Sequence, residues 1–241
     1  MQQFERDVII ACDFPNAQTT LTQTTLRFLD LFGEKKPFVK IGMQLYLSEG
    51  PDIVRRIKDR GHKIFLDLKL HDIPPIIEMS MRSLRDLKVD MINVHATGGT
   101  KMMEAAIAGL TDKDDNRFTK LLAVTILTSI DENNLQRELL IKKPIQEVVP
   151  FLANLAETAK LDGVVCSPLE AETVHTVCGN DFLTVTPGIR LEGDSAGCQK
   201  RFTTPLQAKQ AGSNYIVVGS SITQAKDPVA AYYQCVEQFC N

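Results

Sequence analysis

Eight short apolar runs alternate with eight amphipathic stretches along this chain. The runs, at 8–11, 38–41, 64–68, 91–94, 121–125, 163–166, 183–186 and 215–218, are rich in Val, Ile and Leu. They do not alternate polar with apolar residues, which is how strands covered on both faces read. The intervening stretches 20–31, 50–60, 76–87, 101–110, 145–160, 168–177 and 204–211, and the final 228–239, read as amphipathic helices. Leu152, Leu155, Ala156 and Ala159 carry the helical spacing most clearly. Eight βα units in 241 residues predict an α/β fold, a (β/α)8 TIM barrel filling 1–241 as a single domain. An open doubly wound sheet would need Gly-x-Gly-x-x-Gly after the first strand. Cys12-Asp13-Phe14-Pro15 stands there instead. No linker, low-complexity tract or internal repeat divides the chain.

Composition removes several classes of function. The formal net charge is −3 and the Lys and Arg are scattered, which argues against a nucleic-acid surface. No apolar stretch reaches the roughly 18 residues of a membrane span. The N-terminus lacks the basic and apolar regions of a signal peptide. Cys12, Cys166, Cys178, Cys198, Cys235 and Cys240 follow no metal-ligand spacing. They are expected to be free thiols in a reducing, cytoplasmic setting.

In a barrel of this kind, catalytic groups sit at the C-terminal strand ends. Polar residues recur there: Asp13, Lys40, Asp67, Lys69, Asp72, His95, Thr128, Ser129, Ser167, Arg190, Gly219 and Ser220. One such residue could belong to an ordinary loop; eight strand ends of this kind make a pocket. The segment Asp67-Leu-Lys-Leu-His-Asp72 is the densest part. On an extended strand Asp67 and Lys69 point to one face. Lys40 lies between apolar neighbours in the adjacent strand, where a Lys needs a partner. Lys40, Asp67, Lys69 and Asp72 are expected to form an alternating cluster, neutral overall. At about 4 Å and an effective dielectric near 20, each neighbouring pair gains about 4 kcal/mol before desolvation. Pro74 and Pro75 are expected to end regular pairing.

His71 and His95 are expected to pack or hydrogen-bond; no metal site is expected, because no two-His helical motif exists. His62 and His175 read as surface or loop residues. Thr186-Pro-Gly-Ile-Arg190 opens a polar loop whose Gly193, Asp194, Ser195 and Gly197 suit a lid. Arg190 and Gln199 can hold an anion there. The backbone N–H groups of Gly219 and Ser220 face the same corner, the usual phosphate site of such barrels.

These motifs resemble orotidine 5'-phosphate decarboxylase. The resemblance rests on Asp67-Leu-Lys-Leu-His-Asp-Ile-Pro74, Val94-His-Ala-Thr-Gly-Gly99, Leu127-Thr-Ser129, Asp162-Gly-Val-Val-Cys-Ser167, Thr186-Pro-Gly-Ile-Arg190, Gln199-Lys-Arg201 with Thr204-Pro205, and Val217-Val-Gly219. It runs in order from the first strand to the last. The resemblance implies a homodimeric barrel that needs no metal or organic cofactor. It implies conversion of orotidine 5'-phosphate to uridine 5'-monophosphate (UMP) and carbon dioxide, the last step of de novo pyrimidine synthesis. By position, Lys69 resembles the proton donor to C6, and Asp67 the carboxylate facing the substrate carboxylate. Lys40 and Asp13 match ribose contacts. Asp72 matches a residue reaching into the partner's active site. Thr128 and Ser129 match the segment near pyrimidine and ribose. Arg190, Gln199, Gly219 and Ser220 match the phosphate grip.

Two positions depart from the family pattern. Ser220 stands where Arg is usual, and Pro75-Ile76 where Asn-Thr is usual. The first removes a bidentate phosphate partner and the second a hydroxyl that could reach ribose. Lys200 or Arg201 are candidates to replace the lost charge. Two other readings remain open here. One is a nucleotide-phosphate binding barrel with impaired catalysis. The other is a metal-dependent sugar-phosphate decarboxylase or aldolase of the same superfamily, against which Asp-Ile-Pro and Thr-Pro-Gly-Ile-Arg both speak.

Overall fold

A computed structural model describes residues 6–14, 19–194 and 202–241. Its eight strands are β1 (Asp7–Ala11), β2 (Phe38–Gly42), β3 (Ile64–Leu70), β4 (Met91–His95), β5 (Lys120–Val124), β6 (Gly163–Val165), β7 (Leu183–Thr186) and β8 (Tyr215–Val218). They pair in parallel in sequence order, and β1 also pairs with β8, so the sheet closes into a barrel. The helices are α1 (Leu21–Asp30), α2 (Met43–Glu49), α3 (Pro51–Asp59), α4 (Pro74–Arg85), α5 (Gly99–Leu110), α6 (Glu132–Arg137), α7 (Ile145–Thr158), α8 (Ala171–Cys178), α9 (Pro205–Gln210), α10 (Ser220–Thr223) and α11 (Pro228–Cys240). The expected (β/α)8 architecture is present.

Local chemistry explains these elements. In α3, Pro51 occupies the start, Asp52 lies in the first turn, and Arg56 and Lys58 lie in the last, which suits the helix dipole. Its buried Ile53, Val54 and Ile57 form one stripe. Helix α7 buries Val148, Val149, Leu152, Ala153 and Ala156 at the same spacing. Helices α3, α4, α9 and α11 all begin with Pro, whose missing N–H costs nothing at a helix start. Pro74 and Pro75 therefore do more than end β3: they open α4, two residues before the expected helix.

The core has two layers. One fills the space between strands and helices. The other fills the barrel interior with Ile9, Ala11, Phe38, Phe65, Met91, Leu122, Val124, Val165, Val185 and Val217. Side chains alternate along a strand, so residues two beyond Phe38, Phe65 and Met91 also point inward. Those residues are Lys40, Asp67 and Asn93. The apolar plug of the barrel thus ends in a polar layer at the C-terminal mouth.

His62 departs from expectation. It is buried, and its Nδ1 lies 2.9 Å from the Pro37 carbonyl oxygen, which satisfies the ring inside the fold. His175 is half-buried and lies 3.1 Å from Asn214 Oδ1. The described cysteines, Cys12, Cys166, Cys178, Cys235 and Cys240, are free thiols; Cys198 lies outside the described residues. No described helix is long and apolar enough to cross a membrane.

Candidate active site

The polar layer is built on one shared anion. Asp67 Oδ1 lies 2.8 Å from Lys69 Nζ, and Asp67 Oδ2 lies 3.5 Å from Lys40 Nζ. Lys40 Nζ in turn lies 3.0 Å from Asp13 Oδ2. The series therefore runs Asp13, Lys40, Asp67, Lys69, alternating in sign. Within one chain the membership differs from the expectation. Asp13, delivered by the end of β1, takes the place in the cluster expected for Asp72. Asp72 is exposed just beyond β3, and its Oδ1 accepts the Ile73 N–H at 2.7 Å.

Close approach at β2 makes the Asp13–Lys40 contact possible. A Cβ on Gly42 would stand 2.8 Å from Asp13 Oδ1 and 3.0 Å from Lys40 Nζ. Any larger residue would push into the ion pair.

The contact between Asp67 and Lys69 does not come from a regular strand. β3 pairs with β4 through Leu66–Ile92 and Leu70–Val94, with a register shift between them. Lys69 adopts φ 51°, a left-handed conformation that costs an L residue about 1–2 kcal/mol. The bulge and this turn bring the Lys69 ammonium back onto Asp67. The expected pairing is present, but irregular backbone produces it.

Charge state follows from these distances. Burial alone would lower the Lys40 pKa, but Asp67 and Asp13 outweigh burial and raise it. Burial alone would raise the Asp67 pKa, but Lys40 and Lys69 outweigh it and hold the carboxyl below its ordinary 3.8. Both groups are ionised at neutral pH. The Lys69 side chain is 27 % exposed against 10 % for Asp67, and both line the cavity. Burial lowers the His95 pKa, and the neighbouring His71 and Lys69 lower it further. The His71 and His95 rings lie 5.6 Å apart. Among the described residues, no three His, Cys, Asp or Glu side chains converge to hold a metal.

The cavity at the mouth measures about 530 Å³, within the ordinary range for a small-molecule site. Asp13, Lys40, Asp67, Lys69, Thr128, Ser129, Arg190, Gly219 and Ser220 all line it. Gln199, Lys200 and Arg201 lie outside the described residues. The ammoniums of Lys40 and Lys69 mark one side. Opposite in the chain, Arg190 follows β7, and Gly219 leads from β8 into α10. Arg190 Nη1 donates to the Ile189 carbonyl at 2.8 Å, and its buried Nε has no partner among the described residues. Gln44, at the start of α2, and Gln224, after α10, also line the cavity. Neither lies at a strand end, so position in the sequence gives no signal for either.

Comparison with known proteins places the chain among relatives. The model of the orotidine 5'-phosphate decarboxylase / HUMPS family matches residues 6–235. The chain is 48% identical over 236 residues to the orotidine 5'-phosphate decarboxylase of Bacillus mycoides (strain KBAB4), covering 97% of each chain. It is similar in structure to the orotidine 5'-phosphate decarboxylase of Lactobacillus acidophilus, with a TM-score of 0.84 and 40% identity over 98% of this chain and 100% of that one. It is also similar to an uncharacterized conserved protein from Geobacillus kaustophilus, with a TM-score of 0.82 and 43% identity over 96% of this chain and 99% of that one.

Proposed function

We propose how this pocket works from one premise: the chain belongs to the orotidine 5'-phosphate decarboxylase / HUMPS family. Its reaction is the decarboxylation of orotidine 5'-phosphate to UMP and carbon dioxide, in pyrimidine biosynthesis. The observation that carries the mechanism is the Lys69 ammonium, 2.8 Å from a carboxylate shared with a second Lys and open to the cavity.

The C6–carboxylate bond breaks, its electron pair stays on C6, and carbon dioxide leaves. The pyrimidine ring delocalises that in-plane pair poorly. The Lys69 ammonium, fixed before substrate arrives, stabilises the developing charge and then gives C6 its proton. Solvent returns a proton to the exposed amine. Asp67 faces the substrate carboxylate, and the repulsion between them is relieved as carbon dioxide departs. Lys40 and Asp13 hold the ribose, and Thr128 and Ser129 flank the pyrimidine and ribose. Arg190, Gln199 and the Gly219–Ser220 turn take the phosphate. Binding energy from that remote group orders the site around the reacting carbon. No metal or organic cofactor enters this scheme.

The working unit is a homodimer with shared sites. Asp72 is exposed beside the mouth, and Ile73, Ile76 and Met79 next to it are 61, 39 and 53 % exposed. Met43 and Leu47 on the adjacent unit are exposed as well. This apolar surface supports burial against a second copy, which would carry Asp72 into the neighbouring site. A reducing cytoplasm is the compartment that the free thiols suit.

Replacing Lys69 tests the mechanism. Lys69→Ala is expected to lose turnover by roughly 10⁴-fold while it still folds and binds UMP. Near wild-type turnover would sink the assignment. Mixing Lys69→Ala with Asp72→Ala subunits should return part of the activity. No recovery, with subunit exchange demonstrated, counts against shared sites.

A further inference from the structure

Three residues of β3 stand opposite one residue of β4. Leu66 pairs with Ile92 and Leu70 with Val94, so the bulge of Asp67, Leu68 and Lys69 faces Asn93 alone. Asn93 is fully buried, on the face of β4 that points into the barrel. Both ends of its carboxamide are used. Oδ1 accepts the Lys69 backbone N–H at 2.7 Å, and Nδ2 donates to Asp67 Oδ1 at 2.7 Å. One planar amide thus stands in for the ladder bonds that the bulge removes. It ties the backbone of one charged residue to the carboxylate of the other. Lys69 at φ 51° holds a conformation that persists only where its surroundings fix it.

We propose that Asn93 is a positioning residue for the decarboxylation. It locks Lys69 in its left-handed turn and fixes the Asp67 oxygen that the Lys69 ammonium meets at 2.8 Å. The ammonium is thereby aimed at the reacting carbon. This role rests on the decarboxylase reading of the pocket. Asn93 itself does not line the cavity, so it acts through Lys69 and Asp67 rather than on substrate. Few residues can do this. Ala or Leu would leave the Lys69 N–H buried and unpaired. Asp would set a second carboxylate against Asp67. The titratable groups around position 93 are Asp67 and Lys69 on β3, Lys40 on β2 through the other Asp67 oxygen, and His95 on β4.

The test compares full-length wild type, Asn93→Ala and Asn93→Asp by steady-state kinetics, UMP affinity, thermal midpoint and hydrogen exchange at the Lys69 amide. Asn93→Ala is expected to lose roughly 10- to 100-fold in kcat, the effect of one hydrogen bond to a charged group. KM and UMP affinity should stay near wild type, and the Lys69 amide should exchange faster. Asn93→Asp keeps the volume and the acceptor. Its kcat should recover in part as pH falls, relative to wild type, because a protonated carboxyl can again donate to Asp67. Wild-type kcat in Asn93→Ala, a loss confined to KM, unchanged Lys69 exchange, or an Asn93→Asp profile parallel to wild type would each overturn the role. Wild-type enzyme without turnover would overturn the decarboxylase reading and this role with it. Wild-type turnover with an unaffected Asn93→Ala overturns the role alone.

Discussion

The barrel carries ion pairs at both ends and uses them differently. At the N-terminal end, Asp90 accepts from Lys58 Nζ at 2.8 Å and from the Ile64 N–H at 2.8 Å. Asp162 is forked by Arg117 and accepts the Leu121 N–H at 2.7 Å. Each carboxylate closes on one cation and on the first residues of a strand, so each pins where that strand begins. At the C-terminal end, Asp67 is held between two ammoniums and a buried amide, against an open cavity. The same residue types serve the fold where they close on backbone. In the proposed mechanism they serve chemistry where one anion steadies a cation that lines the cavity. This is the division of labour expected between the two faces of such a barrel.

Substitutions can break that comparison. Asp67→Asn should have the larger catalytic effect, a fall in kcat of roughly 10²- to 10³-fold, because Lys69 loses its anchor. It should also change the response to acid. The folded Asp67 carboxyl sits below 3.8. Its contribution to stability is full above that value and is lost as pH falls through the folded pKa. Wild type should therefore lose ground to Asp67→Asn below pH 3.8, measured by denaturant unfolding across pH. Asp162→Ala should do the reverse. Stripping Arg117 and the Leu121 N–H of a partner should cost about 1–3 kcal/mol of stability and leave kcat near wild type. A loss of kcat at an unchanged thermal midpoint would erase the distinction between the ends.

The smallest effect is expected at the proposed phosphate corner. Ser220→Arg adds a guanidinium beside Arg190, and should raise kcat/KM about tenfold. If Lys200 or Arg201 already supplies that charge, Ser220→Arg will be neutral or harmful. Lys200→Ala or Arg201→Ala will then weaken binding instead. Kinetics on the three variants at fixed ionic strength separate the two cases.

The barrel is legible because fully buried strands read as runs rich in Val, Ile and Leu, and each of the eight strands carries such a run. Helix α2 is not legible, because Gly42 both ends β2 and caps the helix, leaving no loop to mark the change. Asp67 and Lys69 stood out as charges in an apolar run. Asn93 was hidden: an amide inside Met91–His95 gives no charge signal, and its role depends on a bulge in another strand. Adjacency in sequence favoured Asp72 for the cluster. Within one chain it is Asp13 that meets Lys40, because β1 pairs with β2 at Ala11–Lys40, a contact between residues 27 apart that sequence adjacency does not show.

The most direct measurement is product formation by the wild-type protein from orotidine 5'-phosphate at neutral pH, with and without a chelator. In the proposed mechanism the paired ammonium of Lys69 stabilises and protonates C6 without a metal. UMP and carbon dioxide should therefore appear in equal amounts, at a rate the chelator leaves unchanged. Binding of UMP without turnover, or activity that the chelator abolishes and a divalent cation restores, would contradict the account.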